Sequence, residues 1–276
     1  MKTKTRSKRG KFAGMAKKAD KYTLYQEAVQ DPEHDVRLAR RIFKKHFGRD
    51  PHLLREDFCG TFAVSCSWVH ADGDKHAWGI DLDPEPLAWG REHNLSALTP
   101  EQQARVHLMQ ADVREAECEK VDVTCAFNFS YFLFKERREL RDYFAKARTT
   151  LRSEGMLMLD AYGGADAQRQ MKERRDHDSF TYVWDQHRFD PIQHNAINRI
   201  HFEFPDGSQM KRAFEYDWRL WTLPELRDTL IEAGFSQVEV YWEGTDHETG
   251  EGNGIYHKAE RAADDPAWVS YLVALL

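Results

Sequence analysis

Two stretches carry residue types and a spacing that could do chemistry: residues 53–63, L-L-R-E-D-F-C-G-T-F-A, and residues 77–83, A-W-G-I-D-L-D. The first ends an apolar run in the acids Glu56 and Asp57, then reaches Cys59 and Gly60. Glycine has no Cβ, so the backbone at Gly60 can turn sharply and approach a ligand closely. Asp81 follows about twenty residues later at the end of the next apolar run, where a carboxylate can accept from two ribose hydroxyls, with Leu82 beside it. Asp112 and Val113 come after a third apolar run and Asn128 after a fourth. Ligands of open α/β sheets bind outside the carboxyl ends of the strands, so strand–turn–helix units would bring these groups together. The chemistry they suit is the holding of a nucleoside.

On these residues the chain resembles the class I S-adenosylmethionine-dependent methyltransferases, whose first motif runs apolar-apolar-acidic-apolar-Gly-x-Gly-x-Gly. Glu56 stands at the acidic position and Gly60 at the middle glycine, while Phe58 and Phe62 replace the outer two. Gln110-Ala111-Asp112 stands where the family contacts the adenine end, and Asn128 where it places its reaction-side motif. The resemblance implies S-adenosyl-L-methionine as cofactor, leaving as S-adenosyl-L-homocysteine. It implies a cofactor set of Glu56, Asp57, Cys59, Gly60, Asp81, Leu82, Asp112, Val113 and Asn128. Asn128-Phe129-Ser130-Tyr131 lacks both prolines of the Asn/Asp-Pro-Pro-Tyr motif found in methyltransferases of base amino groups, so that substrate class is not carried over.

The elements that must position these residues follow from periodicity and punctuation. Residues 21–47 repeat apolar positions at helical spacing, broken at Asp31-Pro32, which predicts two covering helices with Tyr22 and Tyr25 on the first. Strands are expected near residues 53–57, 77–83, 106–110, 121–128 and 155–161, with helices between most of them. Then the period shortens. Residues 180–184, 196–204 and 208–221 read as antiparallel strands, with a hairpin turn at Pro205-Asp206-Gly207. A helix at 223–233 and a strand at 237–242 follow, then a glycine-rich loop over 243–255 and an apolar terminal segment at 268–276 that the resemblance makes an antiparallel strand. The expected fold is therefore α/β: a Rossmann-like, doubly wound, mostly parallel seven-stranded sheet with N-terminal helices and an antiparallel insertion after the fifth strand. Residues 1–19 are a basic, disordered arm, and 20–276 form one domain. Within it, 20–50 are a helical cover, 53–163 the cofactor core, 164–221 the insertion over the substrate, and 222–276 the end of the sheet.

Composition narrows the rest. Of 276 residues 41% are hydrophobic and 12% aromatic, with eight Trp, which excludes a largely disordered chain. The arm holds Lys2, Lys4, Arg6, Lys8, Arg9, Lys11, Lys17 and Lys18 without an acid, so the body is more acidic than the net −6 of the whole. An acidic body argues against a nucleic-acid groove on the fold itself. A small-molecule acceptor with an oxygen or nitrogen nucleophile is therefore preferred. The alternatives are an RNA or protein substrate gathered by the arm, or a nucleoside-binding protein without catalysis.

Cys59, Cys66, Cys118 and Cys125 form no C-x-x-C pair, and no run approaches the ~18 apolar residues of a membrane span. A cytoplasmic protein without membrane partners is expected; a homo-oligomer is compatible with it. His187, His194 and His201 are evenly spaced but fall on separate segments, so no metal site is assigned. His201 and Tyr131 are the candidate catalytic groups. Tyr131, Tyr162, Trp184 and Arg199 are the candidate pocket residues.

Overall fold

The computed structural model describes residues 14–246, 248, 249 and 252–276. Three helices open it: α1 (Met15–Lys18), α2 (Lys21–Val29) and α3 (Pro32–Phe47). Asp20 caps α2 by accepting from the Tyr22 and Thr23 N–H groups. Asp31 caps α3, Pro32 takes its first position, and Gly48 in the left-handed region ends it. Most of the basic arm lies outside the described residues. Its last part is not free: the N–H groups of Met15 and Ala16 donate to Asp206 Oδ2 (2.8 Å) and Ser208 Oγ (3.0 Å).

The core alternates parallel strands β1 (Leu53–Asp57), β2 (His76–Asp81), β3 (Val106–Gln110), β4 (Val121–Ala126) and β5 (Leu151–Gly163) with helices α4 (Ala63–Ala71), α5 (Pro84–His93), α6 (Pro100–Gln103) and α7 (Arg137–Thr149). The chain then builds an antiparallel sheet of β6 (Met171–Asp176), β7 (Thr181–Asp190), β8 (Asn195–Glu203) and β9 (Gln209–Arg219). It returns through α8 (Leu223–Glu232), whose start is a Thr222–Glu225 capping box. Strands β10 (Gln237–Thr245), β11 (Gly252–Ala259) and β12 (Trp268–Leu275) complete the first sheet. Its order is β11-β10-β12-β5-β4-β1-β2-β3, with β12 antiparallel to both neighbours. Because the winding reverses beside β1, the carboxyl ends of β1 and β4 part into a crevice.

Seven of these eight strands are those expected. The eighth is β11, where glycines at 252 and 254 read as a loop. It pairs antiparallel with β10, and the Glu243 carboxylate accepts from the Gly254 N–H (2.7 Å) across the pair. His247 lies outside the described residues. Strand β6, M-K-E-R-R-D, was also not anticipated: it is a charged, exposed edge strand without apolar alternation, a composition that discourages pairing with another chain. No helix among the described residues is long and apolar enough to cross a membrane.

An arginine in a central parallel strand is unusual, and its surroundings explain it. Arg55 is fully buried, paired with Asp57 (Nε to Oδ1, 2.7 Å), and donates to the carbonyls of Val113 (2.7 Å) and Ala116 (3.0 Å). Those carbonyls lie in the connection between β3 and β4, which carries no helix. The guanidinium thus pins down a link that a crossover helix would otherwise pack in place. The Tyr143 hydroxyl on α7 donates to the other oxygen of Asp57 (3.0 Å). Removing one member of a buried pair costs about 3–5 kcal/mol. Asp57→Ala should therefore lose about that much unfolding free energy, read from urea denaturation.

Candidate active site

The loop after β1 places Phe58, Gly60 and Phe62 at φ 57°, 53° and 48°, so three alternate residues share the left-handed region. For phenylalanine this backbone is strained, and burial offsets the strain: Phe62 is wholly buried, and Phe58 packs edge-on against Phe134 and Tyr143. At Gly60 an added Cβ would meet nothing within 4 Å, so bare backbone faces open space. The Asp81 carboxylate accepts from the N–H groups of Gly60 (2.7 Å) and Asp83 (2.9 Å). Leu82 beside it is 67% exposed, an apolar side chain held in water next to a carboxylate. Gln26 of α2 donates to Thr61 Oγ1 (2.8 Å), which ties the helical cover to this loop.

The structure divides the residues expected around a cofactor. Gly60 and Asp81 stand together beyond the ends of β1 and β2, Leu82 follows Asp81, and Asn128 lines the cavity described below. Asp112 stays partly exposed, and the Arg114 guanidinium that grips it (2.6 Å) holds its carboxyl below the usual range. Glu56 lies beneath the loop, accepting from the Ser65 N–H (2.8 Å) and hydroxyl (2.5 Å). Three others are structural. Asp57 is turned into the core by Arg55 and Tyr143. Cys59 is buried, its N–H bonded to the Ile80 carbonyl and its own carbonyl to the Phe62 N–H. The Val113 side chain is likewise buried, while its carbonyl serves Arg55.

Beyond Asn128 a cavity of about 510 Å³ opens between the ends of β4, β5 and β12, helices α2 and α3, and one face of the second sheet. Strand β8 alternates strictly: Asn198, Ile200 and Phe202 are buried, whereas Arg199, His201 and Glu203 face the other way. The cavity takes the apolar face. Trp184, Tyr216, Trp218 and Ile200 line it from the second sheet, and Tyr162 from β5. Of the candidate residues, Tyr162 and Trp184 are on the lining of this cavity.

Arg199 and His201 are not. Arg199 pairs with Glu215 (2.5 Å) on the outer face; His201 bonds Asp185 (3.0 Å) through Nε2 and accepts the Arg212 N–H through Nδ1. Tyr131 is also withdrawn from the site: it is fully buried, with its hydroxyl donating to the Asp160 carbonyl (2.7 Å). The expectation chose polar residues on the insertion, but the cavity forms against the apolar face of the sheet.

Sequence reasoning missed two carboxylates in the cavity. Asp160, at the end of β5, accepts from the N–H groups of Asn128 (2.7 Å) and Phe129 (2.9 Å), both in the left-handed region. Asp35 on α3 accepts from the Tyr271 hydroxyl (2.7 Å). The signal for Asp160 was present, since it ends the apolar run G-M-L-M-L as Asp81 ends its own. Asp35 had none, because its role depends on where α3 docks. Among the described residues no three His, Cys, Asp or Glu side chains gather so as to hold a metal ion.

No family model matches the chain, and no curated protein matches it in sequence. Its fold does match solved structures. One is an S-adenosylmethionine-dependent methyltransferase from Clostridium acetobutylicum ATCC 824, at 16% identity over 92% of this chain and 97% of that one, with a TM-score of 0.61. Another is the sugar N-methyltransferase KedS8 from Streptoalloteichus sp ATCC 53650, at 16% identity over 100% and 98%, TM-score 0.61. A third is CalS10 from Micromonospora echinaspora, an amino pentose methyltransferase with S-adenosylmethionine bound, at 15% identity over 92% and 96%, TM-score 0.64. The chain has the Rossmann-like fold of the S-adenosylmethionine-dependent methyltransferases.

Burial pushes the Asp160 carboxyl from 3.8 up to about 8, with Asp35 adding repulsion, and lifts Asp35 to about 7. Burial likewise carries Glu56 to about 8, with Asp35 and Asp81 as its charged neighbours. An acid whose carboxyl is raised by folding binds its proton more tightly in the folded state. Its contribution to stability is present below its ordinary value and is lost as the pH climbs through the raised one. The unfolding free energy should thus decline between pH 3.8 and about 8, more shallowly in Asp160→Asn, as followed by urea titration across that window.

Proposed function

We propose that this chain transfers the methyl group of S-adenosyl-L-methionine to an oxygen or nitrogen nucleophile of a small molecule. The observation that carries the reading is an aromatic cavity of about 510 Å³ lined by Asn128 and Asp160, on the same strand-end edge of the parallel sheet where the Asp81 carboxylate accepts from the Gly60 N–H. The residues present suit the cofactor. Asp81 offers carboxylate oxygens to the ribose hydroxyls, Leu82 an apolar surface and Asp112 an acceptor at the adenine end, and Gly60 a close approach of bare backbone. When bound, the cofactor supplies an electrophilic methyl carbon on a sulfonium.

The chain's own task is to align an acceptor and keep water away. The walls of Tyr162, Trp184, Tyr216 and Trp218 would do both. A concave space of this size suits a small molecule. The acceptors named for two similar structures, a sugar and an amino pentose, are of that scale.

Calorimetric titration of S-adenosyl-L-homocysteine tests the reading. Micromolar binding is expected, and Asp81→Ala should weaken it about tenfold or more, since a hydrogen bond to a charged group is worth about 1.5–3 kcal/mol. Gly60→Ala should weaken it too, by intruding on the open crevice. An intact protein that does not bind the product would favour a scaffold without catalysis.

A further inference from the structure

We infer that the acceptor is a cationic aliphatic amine whose ammonium sits between Asp35 and Asp160 against the aromatic walls of the cavity. This rests on the methyl-transfer reading and names the acceptor class of the same site.

Three observations carry it. First, among the described residues neither Asp35 nor Asp160 has an ion-pair partner, although both line the cavity. The groups that meet them are a tyrosine hydroxyl and two backbone N–H groups. A carboxylate withdrawn from water without a counter-ion is costly and tends to take up a proton; a cation supplied from outside would favour the charged form instead.

Second, the charges around the space are one-sided. Asp31, Asp166, Glu173 and Glu243 add acid to its lining, and among the described residues the one guanidinium there, Arg175, lies over the Tyr182 ring (4.9 Å). Third, ring faces attract cations, and Trp184, Trp218 and Tyr25 are among those that wall the cavity. His34 Nε2, on the same wall, is buried without a hydrogen-bond partner, which leaves a polar contact open for a second group on the ligand.

The pair also has work to do. An ammonium has no lone pair and cannot act as a nucleophile. One N–H bond must break, its electrons remaining on nitrogen while the proton joins a carboxylate oxygen to give a carboxylic acid. Carboxyls raised by burial hold that proton at neutral pH.

The test compares three probes of one shape and different charge, 2-phenylethylamine, 2-phenylethanol and 3-phenylpropionate. Each is titrated in the presence of saturating S-adenosyl-L-homocysteine and followed by tryptophan fluorescence. The amine should bind about tenfold or more tightly than the alcohol, a cation–π and ion-pair preference, and the acid most weakly. Asp35→Asn, which retains an acceptor for Tyr271, should abolish the preference while still binding the homocysteine product, and Asp160→Asn should do the same. Should Asp160→Asn fail to fold, because its carboxylate also holds Asn128 and Phe129, Asp35→Asn decides alone. Equal affinity for the three probes overturns the inference, as does a preference for alcohol or acid, no amine binding at millimolar concentration, or a preference that survives Asp35→Asn. Failure of the unsubstituted protein to bind S-adenosyl-L-homocysteine strikes the methyl-transfer reading instead.

Discussion

Much of the site depends on one carboxylate meeting two backbone N–H groups. After β4 the chain must turn back at the edge where a ligand lies, and it does so through Asn128 and Phe129, both at positive φ. Each such residue costs roughly 1–2 kcal/mol. Asp160 offsets that by accepting from both N–H groups, one on each carboxyl oxygen. The same residue's carbonyl receives the Tyr131 hydroxyl, which anchors the following turn in the core. This junction ties the turn after β4 to the end of β5, on the wall of the cavity.

Around that junction three bodies close the space. The parallel sheet provides the floor, the antiparallel sheet a roof, and α2 the side that joins them. Tyr22 on α2 touches Trp89 of α5 at 5.6 Å and Phe214 of β9 at 5.9 Å between ring centres, while Lys21 pairs with Glu85 (2.7 Å). With Gln26 on Thr61, the helix contacts the loop, the floor and the roof at once. Its nine residues could not bury enough surface to be helical alone; the tertiary contacts hold them.

The parallel core was legible because its units share one grammar, an apolar run closed by a polar residue at a turn, with helices after β1, β2 and β4. Asp81, Asp112 and Asn128 could be placed at strand ends for that reason. Strand β8 was legible down to its two faces, since alternation has a strict period of two. Which face would meet the ligand was not, because that depends on how the second sheet docks, and polar side chains drew the candidates to the outer surface. Strand β6 escaped because a solvated edge has no apolar pattern to read, and β11 because its glycines suggested freedom where pairing with β10 supplies order. Glu56 and Asp57, adjacent acids, could be separated only by the side chains facing them: Ser65 for one, Arg55 and Tyr143 for the other.

The aromatic residues at positions 58 and 62 change the character of the loop they shape. A glycine-rich loop samples many conformations when empty and gives up that freedom on binding, which weakens affinity. Here the same curvature is locked by two rings, one sealed in the core, so the loop cannot relax without exposing an aromatic side chain to water. Its ordering takes place during folding rather than at the encounter with a ligand. A chain so built gains pre-organisation at the expense of adaptability: its loop favours a ligand that fits the shape already set and gives little to one that does not.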